Sequence, residues 1–198
     1  MKALLRAVIR LIDASLRRAC GIFEFSHDVE CLLRLQVKKA PHALRLGAQV
    51  VEAGEPVLLL HFWSEHIPPL PSTGPDLAWA LRFQRLLIRS GHAVGRYMRR
   101  DPRLAAVRAV GGSTVLISPR EHPGGARLME RLGFTVVPPH GLPGCVEWLE
   151  NLYAWLLMWT FNIVSLRSRR FARLYRTEVW MTVDDFLSRY GVSETRTI

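Results

Sequence analysis

Residues 31–63 read CLLRLQVKKAPHALRLGAQVVEAGEPVLLLHFW, and this stretch decides the fold class. Apolar and β-branched residues fall there in three short runs, 32–37, 43–46 and 56–62, separated by Ala40-Pro41, Gly47 and Gly54. Short apolar runs bounded by glycine and proline read as strands, because an amphipathic helix needs a longer stretch at a 3.6-residue period. The spacing predicts a small antiparallel meander.

Downstream, helices and strands alternate. Residues 67–75 form a proline-rich loop; Pro75 suits a first helical turn, and the charge of Asp76 suits the helix dipole. A helix is expected from about Asp76 to Arg89, with a continuation to Tyr97 left open. It buries Leu77, Leu81, Leu87 and Ile88 and aligns Arg82, Arg85 and Arg89 on its other face. Residues 105–118 read as a strand or a hairpin turning at Gly111-Gly112. A helix over 126–132 follows, closed by Gly133 in the left-handed conformation, then a strand over 134–137. Residues 178–182 form a last strand, Thr182 and Asp185 open a helix over 183–190, and 192–198 are a frayed tail. The expected class is α+β: a small mixed or antiparallel sheet with flanking helices, in one domain over 1–198.

Two further helices carry the functional signal. Within residues 1–25, Leu4, Leu5, Val8, Ile9, Leu11, Ile12 and Leu16 share one side, and Lys2, Arg6, Arg10, Asp13 and Arg17 form a narrow opposite stripe. Such an amphipathic helix either docks its apolar face on the protein's own core or lies in a bilayer interface. Residues 152–166 are apolar, with Trp155 and Trp159, and are followed by Arg167, Arg169 and Arg170. As a helix this segment reaches roughly 22 Å, short of the roughly 30 Å hydrocarbon core. It is either a central core helix or a helix at the headgroup level, where indole rings and arginines meet lipid phosphate.

The formal net charge is +10, from 27 basic and 17 acidic residues, and only Lys2, Lys38 and Lys39 are lysines. An arginine-dominated excess suits a phosphate-bearing partner, either anionic lipid or nucleic acid. The arginines lie on amphipathic helix stripes without the interleaved exposed aromatics of a stacking platform, which disfavours nucleic acid. Cys20, Cys31 and Cys145 are far apart and match no zinc spacing, which argues against a disulfide framework and for a reducing compartment. Arg6, Arg10 and Asp13 interrupt the apolar run that an export signal needs. The expected placement is cytoplasmic, on the inner face of the membrane.

One cluster of titratable groups, His61, Glu65 and His66, follows the third apolar run. In an extended chain His61 and Glu65 point to one side, so an imidazole and a carboxylate can share a pocket as an acid/base pair. The spacing fits neither HExxH nor HxxEH, and no metal is expected. Ser113, Ser118 and Cys145 stand in no activating context, and no glycine loop cradles a nucleotide.

An ordered series of motifs resembles the YkoP-like domain, which also occurs attached to polysaccharide deacetylases. The series is LLRLQVKKAPHALRLGAQVVEAGEPVLLLHFWSEHIPPLP, AVRAVGGSTVLIS, RLMERLGFTVV and TEVWMTVDDFLSRYG, within residues 31–191. The resemblance implies a cell-envelope or glycolipid context and an envelope-enzyme partner; the deacetylase metal motifs are absent. More locally, GGARLMERLGFTVV resembles the late helix and strand of GNAT acyltransferases. That implies a GNAT-like fold and an acyl-CoA cofactor, with Arg82, Arg85, Arg89 and Arg120 as candidate ligand-binding residues. The [QR]xxGx[GA] turn of those enzymes is approached by Arg89-Ser90-Gly91 and by 120–126, but with the wrong spacing. The leading expectation is a membrane-peripheral accessory protein of envelope lipid or polysaccharide metabolism, without a cofactor. It contacts an anionic membrane or glycolipid through Arg6, Arg10, Trp155, Trp159, Arg167, Arg169 and Arg170. The alternative is a GNAT-like acyltransferase acting on an amine or hydroxyl, with His61 or Glu65 as general base.

Overall fold

The computed structural model describes residues 2–114, 123–137, 144–166 and 177–191. Arg120, Arg167, Arg169, Arg170, Ser118 and the tail 192–198 lie outside the described residues. The architecture is mixed α+β. In chain order it has α1 (Lys2–Cys20), β1 (Leu33–Lys39), β2 (Leu44–Leu46), β3 (Gln49–Val51), β4 (Pro56–Phe62), α2 (Leu77–Arg100) and β5 (Ala109–Thr114). Then come α3 (Pro123–Arg131), β6 (Thr135–Val137), α4 (Gly144–Phe161), β7 (Thr177–Thr182) and α5 (Val183–Tyr190).

Five strands form one sheet in the order β1-β4-β5-β7-β6, with β4 and β5 parallel and the other neighbours antiparallel. The expected meander is corrected here. β1 pairs directly with β4, from Leu33 opposite Phe62 to Lys39 opposite Pro56, while β2 and β3 leave the main sheet as a separate hairpin. Backbone bonds between Ala40 and both Gly54 and Glu55 pinch the hairpin off at its base, and Gly47, at φ +62°, turns its tip.

Side chains alternate across the sheet. Leu33, Leu35, Leu58, Val110 and Met181 face a core closed by Phe83, Leu87 and Val94 of α2 and by Phe186 and Tyr190 of α5. Val57, Ala109 and Trp180 face a smaller cluster covered by Leu44, Leu46 and Val51 of the hairpin.

α2 continues to Arg100, past Gly91 and Gly95, because these glycines mark a close approach. A Cβ at Gly95 would stand 2.5 Å from the Tyr190 carbonyl oxygen of α5. Its inward residues are Phe83, Leu87, Val94 and Met98, so Leu77 and Leu81, expected inside, are instead 76% and 49% exposed. Gly111 and Gly112 lie inside β5 and make no turn. A Cβ on Gly111 would come within 2.6 Å of the Trp180 ring, so the absent side chain makes room for that indole. The apolar helix expected over 152–166 is displaced: α4 begins at Gly144, ends at Phe161, and only a short 3-10 turn follows over Ile163–Leu166. The expected local signals do hold at Gly133, at φ +92°, and at Thr182, whose hydroxyl accepts from the Asp185 amide to cap α5. Among the described residues no helix is long and apolar enough to cross a membrane.

Candidate functional site

The structure gives His61, Glu65 and His66 separate partners. His61 follows Leu60 in β4 and turns to the face opposite the α2 core, where its Nε2 lies 2.9 Å from Gln36 Oε1. Burial first, then the charges of Lys38 and Arg34, push its pKa down to about 4, so the ring is neutral at physiological pH. Glu65 accepts from the Arg34 guanidinium at 2.9 Å and from the Trp63 indole at 2.7 Å. His66 stacks on Trp63 at 3.9 Å, and its Nδ1 lies 2.7 Å from the Cys31 carbonyl oxygen. The imidazole of His61 and the carboxylate of Glu65 are thus each held by another group.

Arg34 sits at the centre of this region, 4% exposed, over the Trp63 ring at 4.2 Å. It ion-pairs with Glu24, which also takes Arg17 of α1 at 2.9 Å. Arg17 in turn pairs with Asp13 at 2.8 Å, and Asp13 accepts the hydroxyl of Tyr153 from α4. Burial and the adjacent Asp13 carboxylate raise the Tyr153 pKa, which keeps the phenol protonated as a donor. A continuous polar chain therefore ties α1 to α4 and to the end of β4.

This chain sets which way α1 faces. Asp13 is 4% exposed, Arg17 is half-buried, and Arg6 and Arg10 lie over the rings of Trp159 and Phe161 at 5.6 and 5.4 Å. Asp13 and Arg17 of the polar stripe are turned to the protein, while Arg6 and Arg10 reach the α4 rings from an exposed position. Ile9 is buried, while Leu4 and Leu11 are 72% and 68% exposed and Leu5, Val8, Ile12 and Leu16 are exposed beside them. Of the two expectations for this helix, docking of the apolar face on the protein's own core is overturned. Arg6 and Arg10, expected at the membrane, are exposed while lying over rings of α4. Trp155 and Trp159 are half-buried in α4, and Trp148 and Leu149 in its amino-terminal half are exposed.

A second feature lies within the sheet. β4 and β5 pair only over Val57–Leu59 and Ala109–Gly111. Beyond that point β4 stays bonded to β1 through Phe62, and β5 stays bonded to β7 through Thr114, so the two strands diverge as a fork. The fork encloses a cavity of about 40 Å³ whose walls include Leu60, Phe62, Leu87, Met129, Phe134 and Val179. Among the described residues no ionisable side chain lines it. Leu60 and Phe62 alternate with His61 along β4, so the cavity and the histidine occupy opposite faces of the sheet.

The connection from the fork to α2 runs over residues 63–76 and carries Pro68, Pro69, Pro71 and Pro75. Asp76 caps α2 with its own carboxylate, which accepts from the Trp79 amide at 2.7 Å. Arg82 and Arg85 are exposed on the solvent side of α2, whereas Arg89 is ion-paired with Asp28 at 2.8 Å and with Glu30. None of the three is among the residues lining the cavity.

The fork was missed in the sequence because its signal, a Gly-Gly pair inside an apolar run, has the appearance of a turn. No family model, curated protein or solved structure matches this chain.

Proposed function

We propose that this protein is a membrane-peripheral accessory protein of cell-envelope lipid or polysaccharide metabolism, held on an anionic bilayer by α1. The observation that carries the reading is the inverted helix: Asp13 of its polar stripe is buried on Tyr153 of α4, and all of its apolar stripe but Ile9 is turned outward. An interfacial helix has that arrangement, because lipid replaces the core as the partner of the apolar face. Transfer of the six exposed apolar side chains of α1 to the acyl boundary contributes on the order of 5 kcal/mol in all. Arg18, exposed beside that face, adds about 1 kcal/mol against an anionic surface. The envelope context rests on the YkoP-like resemblance.

The test is sedimentation with phosphatidylcholine vesicles with and without phosphatidylglycerol. Binding is expected to need the anionic lipid, to weaken as salt rises, and to be lost in Leu4→Ser/Leu11→Ser. Binding indifferent to lipid charge, salt and these serines counts against the reading.

The fork favours a second reading, a GNAT-like domain that handles an acyl group. Its coenzyme-dependent form, with acyl-CoA as cofactor, meets a mismatch. A pyrophosphate at a helix N-terminus needs free backbone N–H groups. At α2 the Asp76 carboxylate takes the Trp79 N–H and sets its own negative charge where the pyrophosphate would lie. The residues present at α2 do not fit that group. Neither expected base reaches the fork, because His61 is on the other face and Glu65 is ion-paired.

A further inference from the structure

We propose that the fork between β4 and β5 is a slot for the linear alkyl chain of a membrane lipid. The slot is held open by the fold. Each strand at the fork is bonded along its outer edge, β4 to Phe62 and β5 to Thr114, so closing the gap would break a ladder. The last shared pair is Leu59 with Gly111, and a Cβ on Gly112 would already stand 3.0 Å from the Leu60 carbonyl oxygen. The gap thus widens from a crotch too narrow for a side chain to a cavity of about 40 Å³. That volume holds about three water-sized groups, and a methylene is of similar size.

The chemistry of the walls selects the occupant. Leucine, phenylalanine, methionine and valine side chains make most of the cavity wall, with Ser113 and Thr114 beside them and no charged group among the described residues. An alkyl chain needs no polar partner in a site whose wall is mostly apolar. The Asp76 carboxylate, capping α2, disfavours a phosphate at that helix end. The occupant is therefore the apolar end of a chain whose polar end stays outside. The bilayer as source of that chain rests on the reading of α1 given above; the slot itself does not. A fatty acyl thioester carries the same alkyl chemistry, and the experiment separates the two sources.

The full-length protein is irradiated with phosphatidylcholine/phosphatidylglycerol vesicles containing a diazirine-bearing acyl phosphatidylglycerol, and the labelled peptides are mapped. Parallel samples without vesicles receive diazirine-bearing palmitic acid or the corresponding acyl-CoA. Label from the lipid is expected on β4 and β5 as well as on α1. Val179→Trp, in the cavity wall on the same face as Leu60 and Phe62, is expected to cut fork labelling at least roughly tenfold while α1 labelling persists. Leu60→Phe, which narrows the cavity, serves as the second variant, and each variant is compared by its melting curve.

Label confined to α1 overturns the proposal and leaves the membrane reading standing. Fork labelling unaffected by both variants also overturns it. Stronger fork labelling by acyl-CoA than by the lipid moves the source to a soluble carrier and contradicts the proposal. Failure of the protein to sediment with vesicles, alongside fork labelling by palmitic acid, refutes the membrane reading and the bilayer source while leaving the slot.

Discussion

If α1 is held by its polar stripe, its response to mutation is reversed from that of an ordinary amphipathic helix. Tyr153→Phe deletes the hydroxyl that donates to Asp13, a carboxylate 4% exposed. Losing a hydrogen bond to a charged group costs about 1.5–3 kcal/mol, with Arg17 still paired to the buried carboxylate. Leu11→Ala changes a side chain 68% exposed, where substitutions stay within about 0.5 kcal/mol. Were the leucines the docking face, the same change would cost about 2–5 kcal/mol. Hydrogen exchange of the α1 amides in solution reads the difference directly, since each 1.4 kcal/mol is about a factor of ten in local opening. Tyr153→Phe should speed α1 exchange by roughly 10- to 150-fold, and Leu11→Ala by no more than about twofold. A larger acceleration from Leu11→Ala than from Tyr153→Phe would refute the inverted orientation.

His61, with its pKa at about 4, is neutral when folded and takes a proton near pH 6.5 when unfolded. Its contribution to stability is therefore complete above about pH 6.5 and is lost as pH falls toward 4, by up to about 3 kcal/mol. An imidazole NMR titration with a midpoint above 6 would contradict this. Gly111→Ala places a Cβ 2.1 Å from the Val179 carbonyl oxygen, a clash expected to cost about 3 kcal/mol or more in urea unfolding. Gly144→Ala, where a Cβ meets nothing within 4 Å, should stay within about 0.5 kcal/mol and serves as its control.

The features legible in the sequence were those whose cause is local. Gly133 ends α3 because its own φ is +92°, and Thr182 caps α5 through a residue three positions on. β1 and β4 could be read as strands for the same reason, but their pairing could not, since the intervening hairpin leaves the sheet. The fork depends on β4 meeting β5 across the whole of α2, and Gly111 reads as a turn unless Trp180 is known to lie over it. For α1 the periodicity shows two faces and is silent on which is inward. That choice is made by Tyr153, 140 positions away from Asp13. At the candidate site, the spacing of His61 and Glu65 allowed a shared pocket, whereas Gln36 and Arg34 on the neighbouring strand claim them separately.

The central claim, that the outward face of α1 enters a bilayer, is tested by depth. With Cys20 and Cys145 changed to Ser, a bimane label is placed at Leu4→Cys, at Leu11→Cys, and at Arg100→Cys at the far end of α2. Vesicles of phosphatidylcholine and phosphatidylglycerol with brominated acyl chains are then added to saturation. The account predicts strong quenching at positions 4 and 11 and none at 100. Bound protein whose label at position 11 is quenched no more than that at 100 would contradict it.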